Sequence, residues 1–253
     1  MKRIAILTSA ILLAAAVAPV SNLARQAADT PTAAVMTFYR ALKARQYVEG
    51  FRHSVYKGAV EGLSEDELKD LEPDFARTFS QIPDKIEARG EQTSGDTATV
   101  FLKFDGIEEP QIVTLVRVGK SWLVGDKETL EQVNSQGRAF FFNTRVMVNE
   151  EEAFDTIERL VGAEIIYAQR FQGQYAPMEE MLRLNALPKD VDAGGYKIAL
   201  TLSEDRKSFF VTATPHVYGK TGRLSFYADV AATRAEDLKG KPATNRSPVY
   251  KRK

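Results

Sequence analysis

Two histidines, His53 and His216, are the side chains most able to move a proton near neutral pH. His53 follows Phe51-Arg52 at an expected helix end, and His216 follows Thr214-Pro215 at an expected strand end. They fall in different halves of the chain, and neither has a second histidine or a cysteine at the helical or hairpin spacing of a metal-ligand pair. Acids cluster at Glu65-Asp66-Glu67 and Glu150-Glu151-Glu152. Both runs open expected helices, where negative charge is favoured by the unpaired N–H groups of the first turn. Asp190 and Asp192 do not complete a calcium-loop pattern. No G-x-S-x-G elbow is present, and Gly194-Gly195 stands before a strand rather than between strand and helix, so it reads as a turn and not a phosphate loop. Trp122, in a hairpin of Val and Leu, reads as a core anchor rather than a stacking platform. The expectation is no catalytic residue, no metal and no cofactor.

The chain contains no cysteine, which excludes disulfides, thiolate metal sites, a cysteine nucleophile and a lipid-modified N-terminal cysteine. Its 34 Lys+Arg balance its 34 Asp+Glu, leaving no overall field to attract nucleic acid or an anionic membrane. The one basic run, Lys251-Arg252-Lys253, is expected to be a solvated tail.

Met1-Lys2-Arg3, the apolar stretch Ile4–Val20 and the small residues Ala14-Ala15-Ala16-Val17-Ala18 follow the order of a secretory signal peptide. Ala16-x-Ala18 fits the small-residue rule for cleavage, but Pro19 is unfavourable after the cut, so Ala24 or Ala28 are alternatives. Retention as a single N-terminal anchor is the other reading, for which the apolar run is short. Export places the protein in the periplasm or outside the cell.

The elements beyond this segment alternate in period. Ala34, Val35, Phe38 and Leu42 share a helix face, with Thr30 or Thr32 as cap and Pro31 in the first turn. Ser64 and Glu67 form a capping box ahead of Leu68, Leu71, Phe75 and Phe79. From Pro83 the period is two. Strands are expected at Lys85–Arg89, Thr97–Phe104, Gln111–Val118 and Ser121–Gly125, separated by glycine turns. A second helix-then-strand series follows: a long helix from about Asn149, a short one at Met178–Leu184, and strands at Tyr196–Leu202, Ser208–Pro215 and Arg223–Asp229. The fold class is therefore α+β, with two domains, each of helices on an antiparallel sheet. The domains are expected at 32–128 and 149–235. Residues 1–24 are the signal peptide, 129–148 a linker or docking segment that holds Phe140-Phe141-Phe142, and 236–253 an irregular polar tail.

Two resemblances sharpen this. Thr32-Ala33-Ala34-Val35-Met36-Thr37-Phe38-Tyr39-Arg40-Ala41-Leu42 and the hairpin Val113–Val124 resemble exported domains of the nuclear transport factor two-like, cystatin-like cone group. That group implies helices in the concave face of a curved sheet. It also implies a cone able to hold a small apolar ligand, or an isomerase-like general base for which Tyr39, His53 and Asp126 are the conceivable groups. Arg145-Val146-Met147-Val148-Asn149-Glu150, Gly173-Gln174-Tyr175-Ala176-Pro177, Phe210–Pro215, Gly222–Asp229 and Gly240–Thr244 are similar to the globular part of bacterial type IV pilin-like and pseudopilin proteins. A pilin has a long apolar helix directly before this part, whereas here the other domain stands in that place. These resemblances imply an exported, non-catalytic envelope protein that binds protein partners, such as pilus or type II secretion-like components. The alternatives are a ligand-binding cone and an isomerase-like enzyme.

Overall fold

The computed structural model describes residues 30–187 and 194–252. The expected signal peptide, Asp190, Asp192 and Lys253 lie outside the described residues. The fold is α+β, with two four-stranded antiparallel sheets. The chain divides into two bodies: residues up to Lys57 with Phe79–Glu131, and Gly58–Thr78 with Gln132 onward.

In the N-terminal body, helices α1 (Pro31–Lys43) and α2 (Tyr47–Arg52) precede a meander of β1 (Ile86–Ser94), β2 (Thr97–Phe104), β3 (Gln111–Val118) and β4 (Ser121–Val124). Thr30 caps α1 by accepting from the Ala33 N–H at 3.2 Å, and Pro31 occupies the first turn. Val35, Phe38 and Leu42 are buried, and α1 packs on β1, β2 and β4 of this sheet, where Val100, Leu102 and Trp122 are buried as well. Gly90, expected to end the first strand, instead sits at a β-bulge. The register with β2 shifts between Ala88 and Gly90, and the strand continues to Ser94. On the opposite face Val55, Val116 and Leu123 form a small cluster with Tyr56 and Leu130. Gly125 (φ +128°) is needed where β4 ends, because a Cβ there would lie 2.4 Å from the Val55 side chain.

The C-terminal body contains α4 (Glu65–Thr78), which the sequence had placed with the first domain. Its capping box forms as expected, with Glu67 accepting from the Ser64 N–H at 2.8 Å. Short α3 (Lys57–Val60) precedes it, and α5 (Lys127–Gln136) follows the first sheet. The expected linker 129–148 is helical. After α5 and a single 3-10 turn at Gly137–Ala139, α6 runs unbroken from Phe140 to Arg170. Phe140, Val146, Asn149, Ala153, Ile157, Leu160 and Glu164 are its buried positions, so the buried stripe begins well before Asn149. Gly137 (φ +53°) turns the chain without ending helical structure. Phe140–Phe142 are covered within this body: the Phe141 ring meets Phe75 of α4 edge-on at 4.9 Å, and Arg145 lies over Phe142.

After α7 (Met178–Arg183) comes the second sheet, in the order β5 (Tyr196–Leu202), β6 (Phe209–Pro215), β7 (Ser225–Ala228) and β8 (Thr233–Glu236). Its inner residues Ile198, Val211, Ala213, Phe226 and Ala228 pack with Ile157 and Leu160 of α6. Strand β8 was not expected. Thr-Arg-Ala-Glu has no apolar alternation, and only Ala235 reaches the core cluster. The turn before it is made by Asp229, which accepts from the Ala231 and Ala232 N–H groups. The expected polar tail is irregular but not free: Ala243 and Ser247 are buried, and Tyr250 packs against the core.

Candidate functional site

Tyr39, His53 and Asp126 are not joined to one another by any hydrogen bond or ion pair among the described residues. Tyr39 is half-buried on α1, with its ring edge-on to Phe104 at 5.6 Å, and burial pushes its hydroxyl pKa up. His53 closes α2 with its Nε2 3.5 Å from Glu49 on the same helix. Asp126 caps α5: its carboxylate accepts from the Thr129 N–H at 2.7 Å and from the Thr129 hydroxyl at 3.1 Å. The bond from the Thr129 backbone, more than anything else, holds its pKa below the usual carboxylate range. A capping role accounts for every bond this side chain makes. Asp126→Ala is expected to cost the N-terminal body about 1 kcal/mol in urea unfolding, the ordinary cost of a lost cap.

Trp122 is buried, with the Arg117 guanidinium 4.4 Å above its ring. His216 is exposed, and its backbone N–H donates to the Gly195 carbonyl at 3.0 Å. Gly195 itself (φ +79°) could carry no side chain, since a Cβ would lie 2.6 Å from the Asn149 amide.

Several polar residues along α6 are engaged in holding the C-terminal body together. Arg145, only 9% exposed, donates to Asp74 at 2.6 Å, to Asp70 at 3.1 Å and to the Asp70 carbonyl at 2.7 Å. Lys220 reaches the same Asp70 at 2.9 Å. Burial raises the Asp70 pKa, but the Lys220 ammonium and the Arg145 guanidinium outweigh it and hold the carboxyl below its ordinary range. Asn149 donates to the Thr221 carbonyl, and Glu150 accepts from the Arg223 and Leu224 N–H groups, pinning the loop between β6 and β7. Glu164 is fully buried. Its Oε2 accepts from the Ala176 N–H at 2.9 Å, while Oε1 has no partner, and burial raises its pKa. Sequence reading missed Glu164 because it sits one turn beyond Leu160 on an otherwise apolar stripe, where an acid carries no motif.

A groove of about 420 Å3 opens on the far side of the second sheet, floored by the stacked rings of Phe210 and Tyr227. Its rim groups are also committed: Lys207 donates to the Gln172 carbonyl and Asp229 holds the following turn. In contrast, large apolar side chains stay uncovered at the end of α6 and beyond. Ile165 is 38% exposed and Ile166 55% on the last turns of the helix, and Phe171 at its cap is 48% exposed with its ring stacked on Tyr167 at 4.1 Å. Ile112 and Val118 are exposed on one face of β3.

Comparisons of the chain with protein-family models, curated proteins and solved structures found no match.

Proposed function

We propose that the chain is an exported, non-catalytic protein-binding component of the cell envelope, acting in an assembly of the pilin or secretion-system kind. The observation that carries this reading is the contrast within α6. Its polar side chains Arg145, Asn149, Glu150 and Glu164 all hold neighbouring segments, whereas Ile165, Ile166 and the following Phe171 remain open to solvent. Large apolar side chains exposed near one end of a helix offer a surface that another protein can cover. The likeness of the C-terminal half to pilin-like globular domains and the secretory character of residues 1–24 support the assembly and the compartment.

The reading is tested by Ile166→Lys in the full chain. Ile166 is 55% exposed, so the thermal midpoint should stay within a few degrees. Protein partners recovered with the wild-type chain from crosslinked envelope extracts should be lost. A wild-type chain recovered alone, or an unchanged set of partners with Ile166→Lys, would overturn this assignment of the surface.

A further inference from the structure

The segment after β8 is seated as a fifth strand would be. The Ala235 N–H donates to the Pro248 carbonyl at 3.0 Å and the Tyr250 N–H to the Thr233 carbonyl at 2.9 Å, an antiparallel bridge centred on Arg234 and Val249. Tyr250 turns inward between Phe154, at 5.2 Å, and Phe226, at 5.5 Å. Arg252 then reaches Glu151 at 2.6 Å and Asp155 at 2.9 Å on α6. Ahead of the bridge, Ser247 donates to Glu236 and its carbonyl accepts from Arg234. These contacts describe a recognition groove along one sheet edge: backbone pairing for an extended segment, an aromatic slot, and two carboxylates for a cation two residues further on.

The segment reaches the groove through a tight bend in which Lys239 (φ +56°) and Gly240 (φ +82°) are both left-handed, while Lys241 and Pro242 are exposed. A strand that pairs at an edge, is anchored by two side chains and hangs from a short bend has the form that identical chains exchange with one another.

We propose that residues 242–252 form an exchangeable strand, and that the groove along β8 accepts the same segment from a second copy of this chain. Copies are joined by the contacts now made within one chain, so assembly needs no apolar N-terminal helix. This deepens the assembly reading given above and rests on it only for its biological purpose.

The test uses the whole chain with a site-specific protease sequence inserted after Lys241. The protein is folded first, then cut, then mixed with a fluorescent synthetic peptide of residues 242–253 and followed by native mass spectrometry and anisotropy. One labelled peptide per cut chain is expected. Uptake should be at least about tenfold weaker for peptides carrying Tyr250→Ala or Arg252→Glu, as for other buried aromatic and arginine anchors. If the body loosens on cutting, excess peptide should restore its circular dichroism. A cut chain that keeps its own segment against excess peptide, or loses it and takes up none, overturns the proposal. A second variant lacking Leu238–Lys241 should be a dimer by light scattering, and a folded monomer would overturn exchange between copies. Successful exchange with no partner found in cells would remove only the reading of an outside partner, and the reverse result only this one.

Discussion

Arg145→Ala is expected to destabilise the C-terminal body by about 2–4 kcal/mol, a little under the cost of breaking a fully enclosed ion pair because Asp70 and Asp74 each keep roughly a third of their surface in water. The substitution leaves two carboxylates facing a hole between α4 and α6 and removes a donor to the Asp70 carbonyl. Lysine at this position should recover only part of the loss, because one ammonium cannot reproduce the fork that meets both acids. Urea unfolding followed at the C-terminal body measures the change. The network also sets an acid limit. The folded-state pKa of Asp70 is lowered from its ordinary 3.8, so its contribution is fully present above that value and is lost as the pH falls through the lowered one. Wild-type stability should therefore fall below about pH 4 more steeply than that of Arg145→Ala. Equal slopes would show that the guanidinium does not hold these acids.

Glu164→Gln is expected to do the opposite and raise stability. The folded-state pKa of Glu164 is raised above its ordinary 4.5 by burial. Its neutral form is the one that folding favours. That contribution is complete below the ordinary value and is lost as the pH rises through the raised one. At pH 8 the wild type must either ionise a carboxyl with no cation beside it or hold a proton against its tendency to leave. Glutamine keeps an oxygen for the Ala176 N–H and carries no charge. A gain of about 1–3 kcal/mol at pH 8, shrinking toward nothing below pH 4, is expected on the scale of a buried polar group's desolvation. Thermal melts of the two proteins across pH measure it, and a constant difference at all pH values would show that folding does not shift the titration of this carboxyl. Glu164→Ala is a poorer probe because it opens a cavity beside Leu160 and Ala176.

Much of this fold is legible in local pattern. The stripe Val35, Phe38, Leu42, the capping box at Ser64 and Glu67, and the alternation through Gln111–Val118 each name an element that forms with nearly the same limits. What local pattern does not carry is long-range assignment. Helix α4 reads as part of the first half because it precedes the first meander in sequence. Its place in the C-terminal body depends on Asp70 and Asp74 meeting Arg145, far along the chain. Phe140 to Val148 read as a connection because a glycine precedes three aromatic rings, yet α4 and Arg145 cover those rings and the helix runs through. Strand β8 and the segment ending at Tyr250 escape notice for a related reason: their pairing supplies the order, and their residues are polar. At the candidate sites the signal is thinner still. Asp126 looks like a base and serves as a helix cap, and the buried Glu164 has no sequence motif at all.

The claim that polar groups hold the fold while an apolar face meets a partner is tested most directly by a photo-crosslinking amino acid at position 166 of the full chain in intact cells. A discrete crosslinked protein is expected from position 166 and not from the solvent-facing, polar position 204 of the same body. No product at 166, or the same products from both positions, would contradict it.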